Sequence, residues 1–385
     1  MSTSIEPKAM LAELVGFNTI SDLSNLDLIT FVESYFQSHG VATTRVPDET
    51  GMKASLFAQI GPEVAGGVIL SGHTDVVPVA GQPWDSDPFT LTEREGRLYG
   101  RGTCDMKGSL ACALAAVPEM LAADLKRPIQ FALTYDEEVG CFAAPPLIEA
   151  MAVLPRAAAV IVGEPTEMQV VTGHKAICEL HTHVRGFEVH SSLMHQGVSA
   201  VMTAAEMINW IAAQTEANRR EAAGTTLGYE PPWTTLHVGE IRGGTAHNIT
   251  ARDCTFSCDI RSLPTESQAS WIEAYMAEAA RLADRIGKVR PEAGITVEIV
   301  GAVPGCRAEE NGTAETIARR LTGDNGTHVV SYATEAGQFQ DGGYSTVICG
   351  PGSIAQAHQP NEFIEVSQLA AGSAFISRLI ADLSK

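Results

Sequence analysis

The sequence predicts an α/β protein: a mostly parallel mixed sheet flanked by helices, with an α+β domain inserted into it. Three observations carry this expectation. Short apolar runs at Val68–Leu70, Gln130–Thr134 and Ala157–Val162 alternate with helical stretches, and each run releases a histidine or an acidic residue at its C-terminal end. Near residue 175 the rhythm changes to runs that alternate apolar and polar residues, between two long helical segments. From about Glu309 the first pattern returns. The expected division is 1–177 with 305–385 for the outer domain and 178–304 for the inserted one.

In order, Lys8 to Leu14 reads as a short helix and Asn25 to His39 as a longer one ended by Gly40. Ala54 to Ile60 is a strand, and Val68 to Leu70, closed by Gly72, a buried one. Lys107 and Gly108 open a single helix, Leu110 to Leu121. Gln130 to Thr134 is a strand leading into an acidic turn, Pro145 to Met151 a helix, and Ala157 to Val162 a further strand. The insertion reads as strands Ile177–Val184, Thr234–Ile241, Cys254–Ile260 and Ile295–Val300, with helices Val198–Ala217 and Ser267–Ile286. Cys254 and Cys258 share one face of their strand and are packing residues. A helix from Glu309 to Leu321, a strand Thr346–Cys349, the turn Gly350-Pro351-Gly352 and a helix Val366–Leu383 complete the chain.

A formal net charge of −20, from 46 acidic against 26 basic residues, argues against a nucleic-acid partner. No basic start followed by an apolar core marks a signal peptide, and no apolar run approaches the roughly 20 residues that span a bilayer. Eight scattered cysteines then read as reduced thiols in a cytoplasmic protein with no membrane partner.

His73 and Asp75 stand two apart at a strand end, which puts both side chains on one face about 6–7 Å apart. That suits a metal ligand with its orienting partner, or equally a solvated strand end. Asp105 follows the Gly-rich stretch Gly100-Arg101-Gly102 in a loop just before a helix, where open α/β sheets hold their chemistry. Converging strand ends would gather His73, Asp75, Asp105, Glu137, Glu138, Glu164 and His358. Two imidazoles and five carboxylates in one cleft repel unless cations neutralise them. Nitrogen and oxygen donors without thiolate favour zinc, then cobalt or manganese. The count suits two ions about 3.5–4 Å apart sharing one carboxylate, for which Asp105 is the best bridge. Of the adjacent pair Glu137 and Glu138, one can bind an ion while the other stays free as a base.

Taken in order, these segments resemble the dinuclear zinc amidohydrolases of the M20 peptidase family. The matching stretches are Ser71–Pro78, Gly100–Gly108, Tyr135–Cys141, Glu164–Thr166, His190–Ser192, Gly244–Asn248, Arg261, Thr334–Ala336 and Gly350–Pro360. Within the family, Pro47–Gly51, Thr334-Glu335-Ala336 and Gln356–Pro360 resemble the acetylornithine deacetylases. The resemblance implies a zinc-exopeptidase-like catalytic domain and an inserted dimerisation or lid domain. It implies one ion on His73, Asp105 and Glu164, a second on Asp105, Glu138 and His358, with Asp75 orienting His73 and Glu137 as general base. His190 and Asn248 would act on the neighbouring subunit of a homodimer, Arg261 would hold the substrate carboxylate, and Glu335 a distal ammonium or a basic neighbour. The loop at Gly350 and Gly352 would turn its N–H groups to an anion. Thr250, His195 and Ser199 depart from residues frequent at those positions. The implied reaction is hydrolysis of an N-acyl amino acid, N-acetyl-L-ornithine to acetate and L-ornithine in arginine biosynthesis. A succinyl-diaminopimelate desuccinylase, an aminoacylase, a dipeptidase or a catalytically silent metal- or amino-acid-binding protein are the alternatives. Such a site needs no thiol nucleophile, so Cys104 is a bystander.

Overall fold

The computed structural model describes residues 5–225 and 227–385. In chain order its strands are β1 Thr43–Pro47, β2 Ala54–Ile60, β3 Val68–His73, β4 Thr92–Arg94, β5 Arg97–Tyr99, β6 Ile129–Thr134, β7 Ala159–Pro165, β8 Val171–His174, β9 Ile177–Arg185, β10 Thr235–Gly243, β11 Asp253–Arg261, β12 Gly294–Val303, β13 His328–Val330, β14 Thr346–Gly350 and β15 Phe363–Glu365. The α-helices are α1 Pro7–Gly16, α2 Leu26–Ser38, α3 Lys107–Ala115, α4 Val117–Ala122, α5 Ala144–Ala150, α6 Ala200–Glu221, α7 Gln268–Gly287, α8 Thr313–Thr322, α9 Ala336–Asp341 and α10 Val366–Leu383. Two compact units result. One comprises Met1–Gly173, Ala308–His328 and Thr334–Lys385; the other His174–Arg307 and Val329–Ala333.

The first unit is built on the sheet β1-β2-β6-β3-β7-β14-β8. Its centre is parallel: β3 pairs β6 and β7, and β14 pairs β7. β1, β2 and β8 run antiparallel to their neighbours. β3, β6 and β7 are buried along their whole length, which is why they read as near-continuous apolar runs rather than as alternation. Leu70, Phe131 and Ile161 join Leu114, Phe375 and Ile376 from α3 and α10 in one apolar core. The parallel strands end together at His73, Thr134 and Pro165, so the residues that follow them emerge at a single edge.

The second unit carries the antiparallel sheet β10-β11-β9-β12. Alternate residues of β9 and β11 point into a separate core, with Leu180, Val184, Phe256 and Ile260 packed against Met207, Ile211 and Leu282 of α6 and α7. Cys254 and Cys258 lie in that core, as their spacing predicts. Ser199 and Ser267 cap the two helices by accepting from Met202 N and Ser270 N.

Three expectations change. The single helix over Leu110–Leu121 is two, α3 and α4, because Pro118 sits in the first turn of α4 and cannot continue the hydrogen bonding of α3. The helix placed from Glu309 begins at Thr313, after Gly312 at its N-cap. Val329–Ala333 goes with the second unit, where Lys175 N donates to Val330 O and Glu230 N to Ser331 Oγ.

Candidate metal centre

The C-terminal edge of the parallel strands assembles the predicted ligands from five distant stretches of chain, His358 coming from the loop between β14 and β15. His73 ends β3, Glu164 lies near the end of β7, Glu138 follows β6, and Asp105 occupies the loop before α3. His73 Nε2 lies 3.1 Å from Asp105 Oδ1 and 3.7 Å from Glu164 Oε1. Asp105 Oδ2 lies 3.3 Å from His358 Nε2, which is also 2.9 Å from Glu138 Oε2. The two oxygens of Asp105 therefore face different imidazoles, the geometry of a bridging carboxylate. Glu137 sits in the same cluster: His73, Glu137 and Glu164 bring ligand atoms within 4.8 Å of one another, as do His73, Asp105 and Glu138.

His73 Nδ1 is within 2.9 Å of the Asp75 carbonyl oxygen and 3.5 Å of Asp75 Oδ1. Donation from Nδ1 leaves Nε2 as the free lone pair aimed at Asp105 and Glu164. The Asp75 carboxylate has a second task that the sequence does not reveal. It accepts from Ser21 Oγ at 2.7 Å and from the backbone N–H groups of Glu137 and Glu138 at 3.3 and 3.4 Å. Next to that turn, Asp136 adopts a φ of +58° and its carboxylate is held by Lys53.

Burial and mutual repulsion dominate the electrostatics. Burial, with Asp105 and neighbouring carboxylates adding to it, pushes Glu164 well above the usual range. Burial does the same to Glu137, reinforced by Glu138 and Asp105. Glu138 is raised to about 7 by burial and by Asp105. Asp105 goes the other way: burial opposes its ionisation, yet the bonds from His358 and His73 hold it below the usual range. His358 is raised to about 10 by its bonds to Asp105 and Glu138. Two imidazoles do not offset this much buried acid, so the donor set fits divalent cations on chemical grounds. The all-nitrogen-and-oxygen set suits zinc or cobalt. Cys104 is no competitor, since burial and the nearby Glu362 and Asp105 hold its thiol far above its ordinary value.

The profile of peptidase family M20/M25/M40 matches residues 69–382. An acetylornithine deacetylase of Myxococcus xanthus is 35% identical over 97% of this chain and 96% of its own. The chain belongs to peptidase family M20/M25/M40. Among solved structures, an M20 family metallo-carboxypeptidase from Sulfolobus solfataricus superposes with a TM-score of 0.76 at 19% identity, covering 99% of both chains. A tripeptidase from Staphylococcus aureus superposes with a TM-score of 0.75 at 19% identity, covering 100% of this chain and 99% of its own. These two likenesses establish the M20 fold.

The remaining predicted residues of this M20 chain divide into two groups. His190, Asn248 and Arg261 lie in the second unit, the first two exposed and Arg261 half-buried. His190 caps a short 3₁₀ turn, its Nδ1 within 2.8 Å of Ser192 Oγ, and Asn248 O accepts from Ser191 N. Arg261 Nε donates to Asp259 Oδ2 at 2.9 Å. In the first unit one expectation needs correction. The N–H groups of Gly350 and Gly352 do not face an anion, because Thr166 Oγ1 and Gln368 Oε1 already accept from them. Their small size answers a packing need: a Cβ on Gly350 would lie 2.1 Å from Gly163 O, and one on Gly352 2.7 Å from Cys104 Sγ. Glu335 is only 1% exposed, and Ser71 Oγ lies 3.4 Å from its Oε2.

Proposed function

We propose that this M20 hydrolase cleaves the amide bond of an N-acyl amino acid, with N-acetyl-L-ornithine as substrate and acetate and L-ornithine as products, in cytoplasmic arginine biosynthesis. The observation that carries the reaction class is Asp105, whose two oxygens stand 3.1 Å from His73 and 3.3 Å from His358 amid buried carboxylates. The Myxococcus relative, at 35% identity, supports the acyl group and the amino acid. His73, Asp105 and Glu164 would hold one divalent ion, and Asp105, Glu138 and His358 another, with zinc the first choice and cobalt the second. Acidification of a water and polarisation of the scissile carbonyl are the chemistry that such ions supply when bound.

The chain's own residues do the rest. Glu137, backed by burial that keeps its carboxyl ready to accept a proton, takes one from the attacking water and returns it to the departing amine. Asp75 fixes the turn that presents Glu137. Arg261 offers a planar fork to the substrate α-carboxylate. In a homodimer, His190 and Asn248 of each subunit would serve the neighbour's site, His190 donating to the tetrahedral oxyanion. A panel of N-acyl amino acids and dipeptides, assayed with zinc- or cobalt-loaded protein, tests the reading. N-acetyl-L-ornithine should give the highest kcat/KM. A preference for succinylated or peptidyl substrates overturns the assignment.

A further inference from the structure

The loop that carries Asp105 is held from behind by one carboxylate. Glu362 is 1% exposed, and so is Arg101. Glu362 Oε2 accepts from Gly102 N at 2.9 Å and from Arg101 Nη1 at 2.8 Å. Its Oε1 accepts from Cys104 N at 2.8 Å and Asp105 N at 3.1 Å. Three amides of this loop, those of Gly102, Cys104 and Asp105, thus converge on one side chain. The approach is set by the fold: Phe363 of β15 pairs with Tyr99 of β5, and Gly100 N donates to Glu362 O at 3.0 Å.

The same cluster reaches the other proposed ligand. Arg101 Nη1 also donates to Gln359 O at 3.3 Å, and its Nη2 to Gln82 Oε1. Gln82 Nε2 donates in turn to the carbonyl of His358 at 2.9 Å, where the backbone adopts a φ of +62°. Trp84 covers the assembly, its ring centroid 5.1 Å from Arg101 Cζ and its indole N–H bonded to Gln82 Oε1. None of these side chains touches a proposed ion.

We infer that Glu362 is a positioning residue for the ion pair, with Arg101 and Gln82 as its arms: the clasp fixes Asp105 through its own amide and His358 through its carbonyl. The inference rests on the two-ion reading above. Because Asp105 faces both imidazoles, loosening Glu362 disturbs both ions, whereas loosening Gln82 disturbs only the ion held by His358. A residue needed merely for folding would give no such split. Glu362→Gln keeps the shape, removes the charge, and turns an N–H donor toward amides that need an acceptor.

The test is Co²⁺ titration of metal-stripped protein, followed by calorimetry and by the visible absorption of bound cobalt. Wild type should take up two equivalents. Glu362→Gln should lose roughly 10–100-fold in affinity for both and show an altered cobalt spectrum, the usual size of an effect transmitted through a ligand's supporting bond. Gln82→Ala should weaken one equivalent and leave the other at the wild-type value. A folded Glu362→Gln with wild-type affinities and spectrum overturns the inference alone. If that variant fails to fold, Gln82→Ala decides: selective loss of one equivalent supports the clasp, and two wild-type affinities overturn it. A wild-type chain that binds no cobalt overturns the two-ion reading and the inference with it.

Discussion

At the residue scale, Asp75 shows how one carboxylate organises a cluster of candidate ligands. It flanks His73 on one side and takes the amides of Glu137 and Glu138 on the other, so the proposed ligand and the proposed base share a common anchor. Glu137→Ala should therefore keep its metal content, read by elemental analysis, while kcat falls by about 10²–10⁴-fold, the usual contribution of a positioned base. Loss of metal as well would move Glu137 into the ligand set, next to His73 and Glu164. Glu335 gives a pH signature. Burial raises its carboxyl from 4.5 to about 7, and among the described residues its Oε1 has no hydrogen-bond partner. Between those values the folded chain keeps a proton that the unfolded chain has released. Stability from this group is thus full below about pH 4.5 and is lost as pH rises towards 7, by about 3 kcal/mol at most. Glu335→Gln, compared with wild type by urea unfolding of chelated protein from pH 4.5 to 8, should lack that fall; parallel curves would refute it. The clustered residues were legible in the sequence because His73 and Glu164 stand at strand ends, Asp105 just before a helix, and Glu138 and His358 within recognisable segments. Ser21, Lys53 and Glu362 were not, since they act on backbone groups or on residues far along the chain, and neither leaves a local pattern.

At the scale of elements, periodicity located the long pieces well. β2 and α10 have the expected limits, and the alternation of β9 and β11 foretold which side chains enter the second core. The short pieces escaped. β4, β5, β13 and β15 have three residues each, too few to show a period, yet β5 and β15 deliver Glu362 to the Asp105 loop. The turn after β14 misled for a related reason. A glycine that offers its N–H and a glycine that admits a neighbour's backbone look the same in one sequence. The two roles separate on substitution. Gly350→Ala should cost about 1–3 kcal/mol, because the atoms it meets are backbone atoms of Gly163 and Glu164 that cannot swing aside. Gly16→Ala, at the end of α1 with nothing within 4 Å of the added carbon, should be neutral or gain about 0.5–1 kcal/mol. Thermal unfolding of the two variants checks the contrast, and equal effects would contradict it.

At the scale of the whole molecule, the chain carries a formal charge of −20 and places several of its acids inside the first unit at one sheet edge. Cations that bind there only in the folded state add stability in proportion to their occupancy. Chelation should lower Tm, and zinc or cobalt should restore it; a Tm indifferent to chelator would mean that the buried acids are balanced by protons alone. The most direct measurement is anomalous diffraction from zinc-loaded crystals, recorded on both sides of the zinc edge. Two peaks about 3.5–4 Å apart are expected, one beside His73, Asp105 and Glu164 and the other beside Asp105, Glu138 and His358. A single peak, or peaks that leave Asp105 outside both coordination shells, would contradict the account.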